Sequence, residues 1–243
     1  MTRLISLLAP LAFATGLASA ANAQEAEAVA SASETSSYDA LLDSMLDGLD
    51  REQLIDNQLR VAKSFWEADA NVVAMEAQHP GLMDAMVRAM RPILIRVDAE
   101  LQNEYRDDFV AAIAATVTAE EASTIAQFYS SDLGVKMLSG ISATYDGKES
   151  IAKTLESGAP TNETFDRDTA VTTNHVVQTL SAEEQQELVA QFTSKPALQK
   201  LPAIQQAMRP IRIQMERAGM APERQRVIQE AVRKAAMDHM ANS

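Results

Sequence analysis

Cysteine is absent from all 243 residues. Disulfides, thiolate nucleophiles, thiolate metal sites and a lipid on a cleavage-site cysteine are therefore excluded, and the chain must be held together by its core. Glycine is sparse, and nowhere does it form a phosphate loop or a dinucleotide fingerprint. The two glycines of SSDLGVKMLSG at 130–140 have neither the spacing nor the Lys-Ser/Thr ending such a loop needs. Gly134 suits a tight helix crossing instead, and Gly140 the end of a short helix. The three histidines, His79, His175 and His239, are far apart and form no metal-spaced pair, so zinc chemistry is not indicated. An EF-hand loop, a nucleophile elbow and a nucleic-acid module are likewise missing from the sequence.

What is present begins with export. MTRLISLLAPLAFATGLASAANAQ has one charge at Arg3, an apolar run to about Leu17 and then small residues, the pattern of a secretory signal peptide over residues 1–23 cut before Gln24. A cut after Ala20 is the other option. After it, no run of about eighteen uncharged apolar residues follows that could span a bilayer. Loss of Arg3 takes the formal net charge from −13 to −14, and such an acidic surface repels nucleic acid and anionic lipid. One basic stretch stands out, with Arg209, Arg212, Arg217, Arg224, Arg226, Arg233 and Lys234 interspersed with Glu216, Glu223 and Glu230. A solvated helical face near helix ends explains it first, an acidic partner or an intramolecular contact second.

The rest of the chain reads as all-α. Residues 24–35, QEAEAVASASET, carry little that can be buried, and a flexible acidic leader is expected there. From Tyr38 the spacing changes: Leu41, Leu42, Met45 and Leu49 fall on one face of a short helix. A second helical region runs from about Glu52 to Glu76, and His79-Pro80-Gly81 breaks the chain after it. A soft boundary falls in LESGAPTNETFD at 155–166. The expected layout is an N-terminal helical unit at 36–155, a connecting segment at 156–170 and a C-terminal helical unit at 171–243.

Two motifs recur. AMRPI occurs at 89–93 and at 207–211. Its apolar partners recur with it, since Met86, Met90, Ile93 and Val97 form the same stripe as Ile204, Met208, Ile211 and Met215. Recurrence of the whole stripe points to a packed helix face, with Pro92 and Pro210 accommodated by a kink or a new helix start. The functional alternative makes Arg91 and Arg209 paired anion ligands, but no Gly-rich loop or companion donors accompany them. The second motif is TAEEASTIAQFYS at 118–130, echoed by SAEEQQELVAQFTS at 181–194. Thr118 and Ser181 can each cap a helix, with Glu121 and Glu184 three residues on to complete a capping box. That use explains the paired acids better than general acid–base chemistry, because adjacent helical residues point about a hundred degrees apart. Since AMRPI precedes the first box and follows the second, the duplication reads as diverged and interleaved. The fold class expected is an irregular helical bundle of two related units with proline-kinked helices.

Phe65, Trp66, Phe128 and Tyr129 are candidate lining for an apolar pocket, although their helical spacing fits core packing first. Methionines at 75, 83, 86, 90, 137, 208, 215, 220, 237 and 240 either fill an irregular core or line an adaptable protein-binding groove.

The stretch VTAEEASTIAQFYSSDLGVKML at 117–138 resembles a bacterial family known as domain of unknown function 2059. Thr118, Glu120, Glu121, Phe128, Tyr129, Ser131, Leu133, Gly134 and Lys136 carry the resemblance, while Asp132 stands where the family commonly has proline. The resemblance covers about 85–145. A degraded second unit at 180–240 keeps Phe192, Pro196 and Lys200 but has Thr193 in place of the tyrosine. It implies a secreted or periplasmic helical protein and carries over no catalytic residues. The resulting expectation is a noncatalytic, cofactor-free periplasmic or secreted domain that binds another protein, such as an envelope protein, or acts as an accessory to envelope maintenance. The alternatives are an apolar-ligand or lipid carrier, and a hydrolase assembled from distant residues.

Overall fold

The computed structural model describes residues 25–144 and 176–243. The expected signal peptide at 1–23, the expected connecting segment at 156–170 and His175 lie outside the described residues. Among the described residues the chain is entirely helical: α1 (Glu25–Asp47), α2 (Arg51–Glu67), α3 (Ala70–Gln78), α4 (Leu82–Glu104), α5 (Arg106–Ala114), α6 (Ala119–Tyr129) and α7 (Asp132–Thr144), then α8 (Ala182–Ser194), a 3₁₀ turn (Pro196–Lys200), α9 (Leu201–Gly219) and α10 (Pro222–Asn242). This is the irregular all-α bundle expected.

Local chemistry sets the boundaries. Helical backbone begins at Glu25, ahead of the start near Tyr38 that the apolar spacing suggests. Alanine and glutamate dominate the added turns, and both favour helix without needing a buried face. The single region from Glu52 to Glu76 is in fact two helices. Asp69 separates them, its carboxylate accepting from Asn71 N at 2.8 Å and Val72 N at 3.4 Å, since aspartate is a poor interior residue and a strong cap. The His79-Pro80-Gly81 break is present. Gly81 sits at φ 89°, a left-handed conformation that glycine adopts without penalty. Having no side chain, Gly81 cannot cap α4, and Glu76 reaches across instead to accept from Gly81 N at 2.7 Å and Met83 N at 2.8 Å.

Two packed helical units share α4. In one cluster, Leu41, Leu42 and Leu46 of α1 meet Phe109 and Ile113 of α5, Ile125 and Phe128 of α6, Leu198 of the 3₁₀ turn and Ile204, Met208 and Met215 of α9. In the other, Ile55, Leu59 and Trp66 of α2 pack on Val72 of α3, Leu82, Met86 and Met90 of α4 and Ile228 of α10. The first half of α4 faces the second cluster, while Val97 and Leu101 near its end face the first. Each cluster therefore draws on chain from both sides of residues 145–175.

The two recurring stripes are core. Met86, Met90 and Val97, like Ile204, Met208 and Met215, are buried, and Ile93 and Ile211 are partly so. α4 and α9 run on through Pro92 and Pro210, and both prolines lie on the exposed side. The backbone bond that proline cannot donate is thereby lost where water can replace it. Gly134 marks the tight crossing expected: a Cβ there would fall on the Phe128 carbonyl and 2.7 Å from Tyr129 Cα. Gly140 does not end a helix, for α7 continues to Thr144.

Candidate functional site

The two capping boxes form as the sequence suggests. Thr118 N donates to Glu121 Oε2 at 2.8 Å while Glu121 N donates back to Thr118 Oγ1 at 3.3 Å. Ser181 N donates to Glu184 Oε2 at 2.7 Å, and Glu184 N to Ser181 Oγ at 3.2 Å. Each box thus satisfies two amide donors that helix geometry leaves unpaired at an N-terminus.

What the sequence did not suggest is how the boxes are joined. Lys200, after the second box, reaches Glu121 of the first at 2.7 Å, and Lys136, after the first box, reaches Glu184 of the second at 2.6 Å. Phe128 and Phe192, the matching aromatics of the two motifs, meet edge to face with centroids 5.9 Å apart and planes at 89°. Both lysines stand eight residues beyond the phenylalanine of their own motif. The contacts are therefore reciprocal, as in an isologous interface where i touches j and j touches i. The lysine salt link first, and the cap amide second, hold the Glu121 and Glu184 carboxyls below the ordinary carboxylate range. Each carboxylate is occupied on two sides, which is the arrangement of a structural clamp and leaves no proton in play at neutral pH.

Helix α8 rests on this junction lightly. None of its thirteen residues is buried. Leu188 and Phe192 pack against the first cluster only in part, and Gln185 ties the helix start to the carbonyls of Val177 and Leu180 at 3.2 and 3.1 Å. Val189 is 66% exposed, and Val135 and Val177, next to the Lys136 and Gln185 contacts, are also exposed.

The other candidates are dispersed. Arg91 pairs with Glu52 at 3.3 Å and with Asp56, both on α2. The first Arg-Pro step thus fastens α4 to α2, and its guanidinium is not held out for an anion. Arg209 on α9 is engaged as well. Trp66 belongs to the second cluster and Phe128 and Tyr129 to the first, so the proposed aromatic lining does not converge on one cavity. Burial pushes the Tyr129 phenol up to about 12, with nearby Arg212 opposing. Among the described methionines only Met237 is strongly exposed. Within the basic stretch, Arg226–Glu230 and Lys234–Asp238 are exposed i,i+4 pairs along α10, as on a solvated helical face, and Arg224 reaches Glu104 at the end of α4, an intramolecular contact.

His79 and His239 come to the same turn from distant positions. His79 Nδ1 lies 2.6 Å from Ser243 Oγ, and His239 Nε2 lies 3.1 Å from the Pro80 carbonyl, tying the end of α10 to the α3–α4 turn. Among the described residues no carboxylate is hydrogen-bonded to either imidazole. The orienting member of a Ser-His-acid triad is therefore not assembled there.

The sequence signal for the buried polar junction of α2 and α7 was also missed. Asn57, 1% exposed, donates to the Ser142 carbonyl at 2.7 Å, and Ser142 Oγ accepts from Asp50 N at 2.9 Å. An asparagine four residues before the buried Val61-Ala62 pair carries no local cue to this long-range bond.

Among the described residues no group of three or more His, Asp or Glu is placed to hold a metal ion, and no single helix is long and apolar enough to cross a membrane. No curated protein and no solved structure matches the chain. One family model does: it begins near the end of α4, spans α5 to α7, and leaves out both the earlier turns of α4 and residues 180–240. Residues 103–144 thus match the family described as an uncharacterized protein conserved in bacteria (DUF2059), in agreement with the resemblance read from the first capped motif.

Proposed function

We propose that this chain is a noncatalytic, exported helical protein that acts in the periplasm by binding another protein. The observation that carries the reading is α8. A helix that buries none of its residues, with Val189 exposed on it and Val135 and Val177 exposed next to its Lys136 and Gln185 contacts, leaves apolar side chains at the edge of the clamped boxes. Such an edge is where a partner gains burial at little cost in rearrangement. The polar residues support the same reading, because the glutamates of both boxes, Arg91 and the two described histidines are spent on caps, ion pairs and backbone ties. The apolar-ligand reading is less favoured, since Trp66 and Phe128 sit in separate clusters.

Native mass spectrometry of the protein taken gently from the periplasm tests this. The expected result is a chain beginning at Gln24 with a discrete added mass that fragments as polypeptide. A small-molecule adduct would turn the assignment to the carrier reading. An uncleaved chain recovered from the cytoplasm would overturn the location.

A further inference from the structure

We infer that the surface beneath α8 is a helix-binding groove that α8 fills in cis, and that an amphipathic helix of the same pattern can take its place. The inference rests on the protein-binding reading and specifies what the partner presents. The residues that α8 packs against belong to the buried first cluster, with Phe128 1% exposed and Leu198 0%, whereas no residue of the helix itself is buried. An element that contributes so little to the core opens at a lower free energy than the core beneath it.

The chain itself specifies what the groove recognises. The contacts made by α8 are a Ser181 box whose Glu184 meets Lys136, a Leu seven residues on and a Phe eleven residues on. α6 presents almost the same series: a Thr118 box whose Glu121 meets Lys200, then Ile125 and Phe128. Lys136 and Lys200 thus read the acid of a capping box, and the aromatic floor reads the residue about three turns further along. That pairing already works in both directions inside one chain, so the geometry does not depend on the particular segment that supplies it. The expected partner is an amphipathic helix that opens with Ser/Thr-x-x-Glu and carries an aliphatic and an aromatic residue at these offsets, the helix-in-groove mode of recognition.

A fluorescent peptide of residues 179–195 added to the full-length mature chain tests this. Wild-type protein, with the groove filled in cis, should bind at least tenfold more weakly than the Phe192→Ala protein, whose α8 is loosened. Lys136→Glu in that protein should weaken binding at least tenfold, and Glu184→Lys in the peptide should restore it. The inference fails if Phe192→Ala protein does not bind the peptide, or binds equally well a peptide with Leu188→Ala and Phe192→Ala. If that variant does not fold, hydrogen exchange on the wild type decides. Amides of α8 should exchange at least tenfold faster than those of α6 and α9, and exchange of all three in one global step overturns the groove. Failure here would leave standing a retained polypeptide found in the periplasm, which would then bind elsewhere.

Discussion

Alanine at Gly134 and alanine at Gly140 should change stability in opposite directions, although both glycines lie in α7. At Gly134 the added Cβ meets the Phe128 carbonyl, Tyr129 Cα and, at 2.9 Å, Phe128 C. All three are backbone atoms of α6, so no side chain can rotate away. Ser131 fixes the approach further, its hydroxyl donating to the Phe128 carbonyl at 2.6 Å and accepting from Gly134 N at 3.2 Å. α7 would have to lift from α6, at an overpacking cost of about 3 kcal/mol. The gain of alanine over glycine in a helix returns about 1 kcal/mol, leaving a net loss of about 2 kcal/mol. At Gly140 the Cβ meets, among the described residues, the Val176 side chain at 3.4 to 3.9 Å, an ordinary contact, so the helix gain of about 1 kcal/mol remains. For a chain of this size, thermal melts should show Gly134→Ala down by about 6 °C and Gly140→Ala up by about 3 °C. Urea midpoints should move in the same senses. If Gly134→Ala is neutral or stabilising, the close approach of α7 to α6 is wrong.

Three further outcomes follow from the same geometry. Asn57→Leu removes the donor to the Ser142 carbonyl, a buried bond between α2 and α7; a loss of about 2 kcal/mol in urea unfolding is expected, and a neutral variant would show that the bond is dispensable. Arg91→Met should cost less than about 1 kcal/mol because its partners Glu52 and Asp56 are exposed, and a larger loss would give the Arg-Pro step a role beyond a surface clamp. For pH, the Glu121 and Glu184 carboxyls are held low by Lys200 and Lys136, and Glu76 by the Met83 and Gly81 amides. A depressed carboxyl stabilises the fold above its unfolded value and loses that contribution as pH falls through the folded one. Stability should therefore be level at neutral pH and decline through the acid range. Carboxyl NMR should show Glu184 titrating at higher pH in Lys136→Met, and an unchanged titration would remove the clamp.

Most of the local structure was legible, because it rests on residues close in sequence. The stripes around AMRPI are buried at the predicted positions, since a three- and four-residue spacing defines one helical face whatever lies opposite. Thr118, Glu121, Ser181 and Glu184 cap as read, because a capping box closes within four residues. Two local readings failed where a competing signal was present. Asp69 interrupts what apolar spacing ran together, and Gly140 lies inside α7 because the buried face continues to Ser142. The separation of Trp66 from Phe128 and Tyr129 was not legible for a different reason. Phe65 and Trp66 precede Phe128 and Tyr129 by some sixty residues, and nothing in their spacing reports which cluster a helix joins.

The crossed lysines set the two capped motifs apart from the AMRPI stripes. Had each box been paired with its own following lysine, the two halves could have stood along the chain as separate domains. Instead Lys136 serves Glu184 and Lys200 serves Glu121, so the carboxylate of each box is paired by the other half. The AMRPI helices are under no such reciprocal constraint. α4 carries its stripe into both clusters and Arg91 to α2, while the stripe of α9 closes the first cluster alone. A stripe with an outward proline can recur wherever a long helix must bury one face and expose the other. A reciprocal clamp can form only where two motifs face one another, and it is therefore the boxes, not the more conspicuous AMRPI repeat, that record how the halves of this bundle are joined.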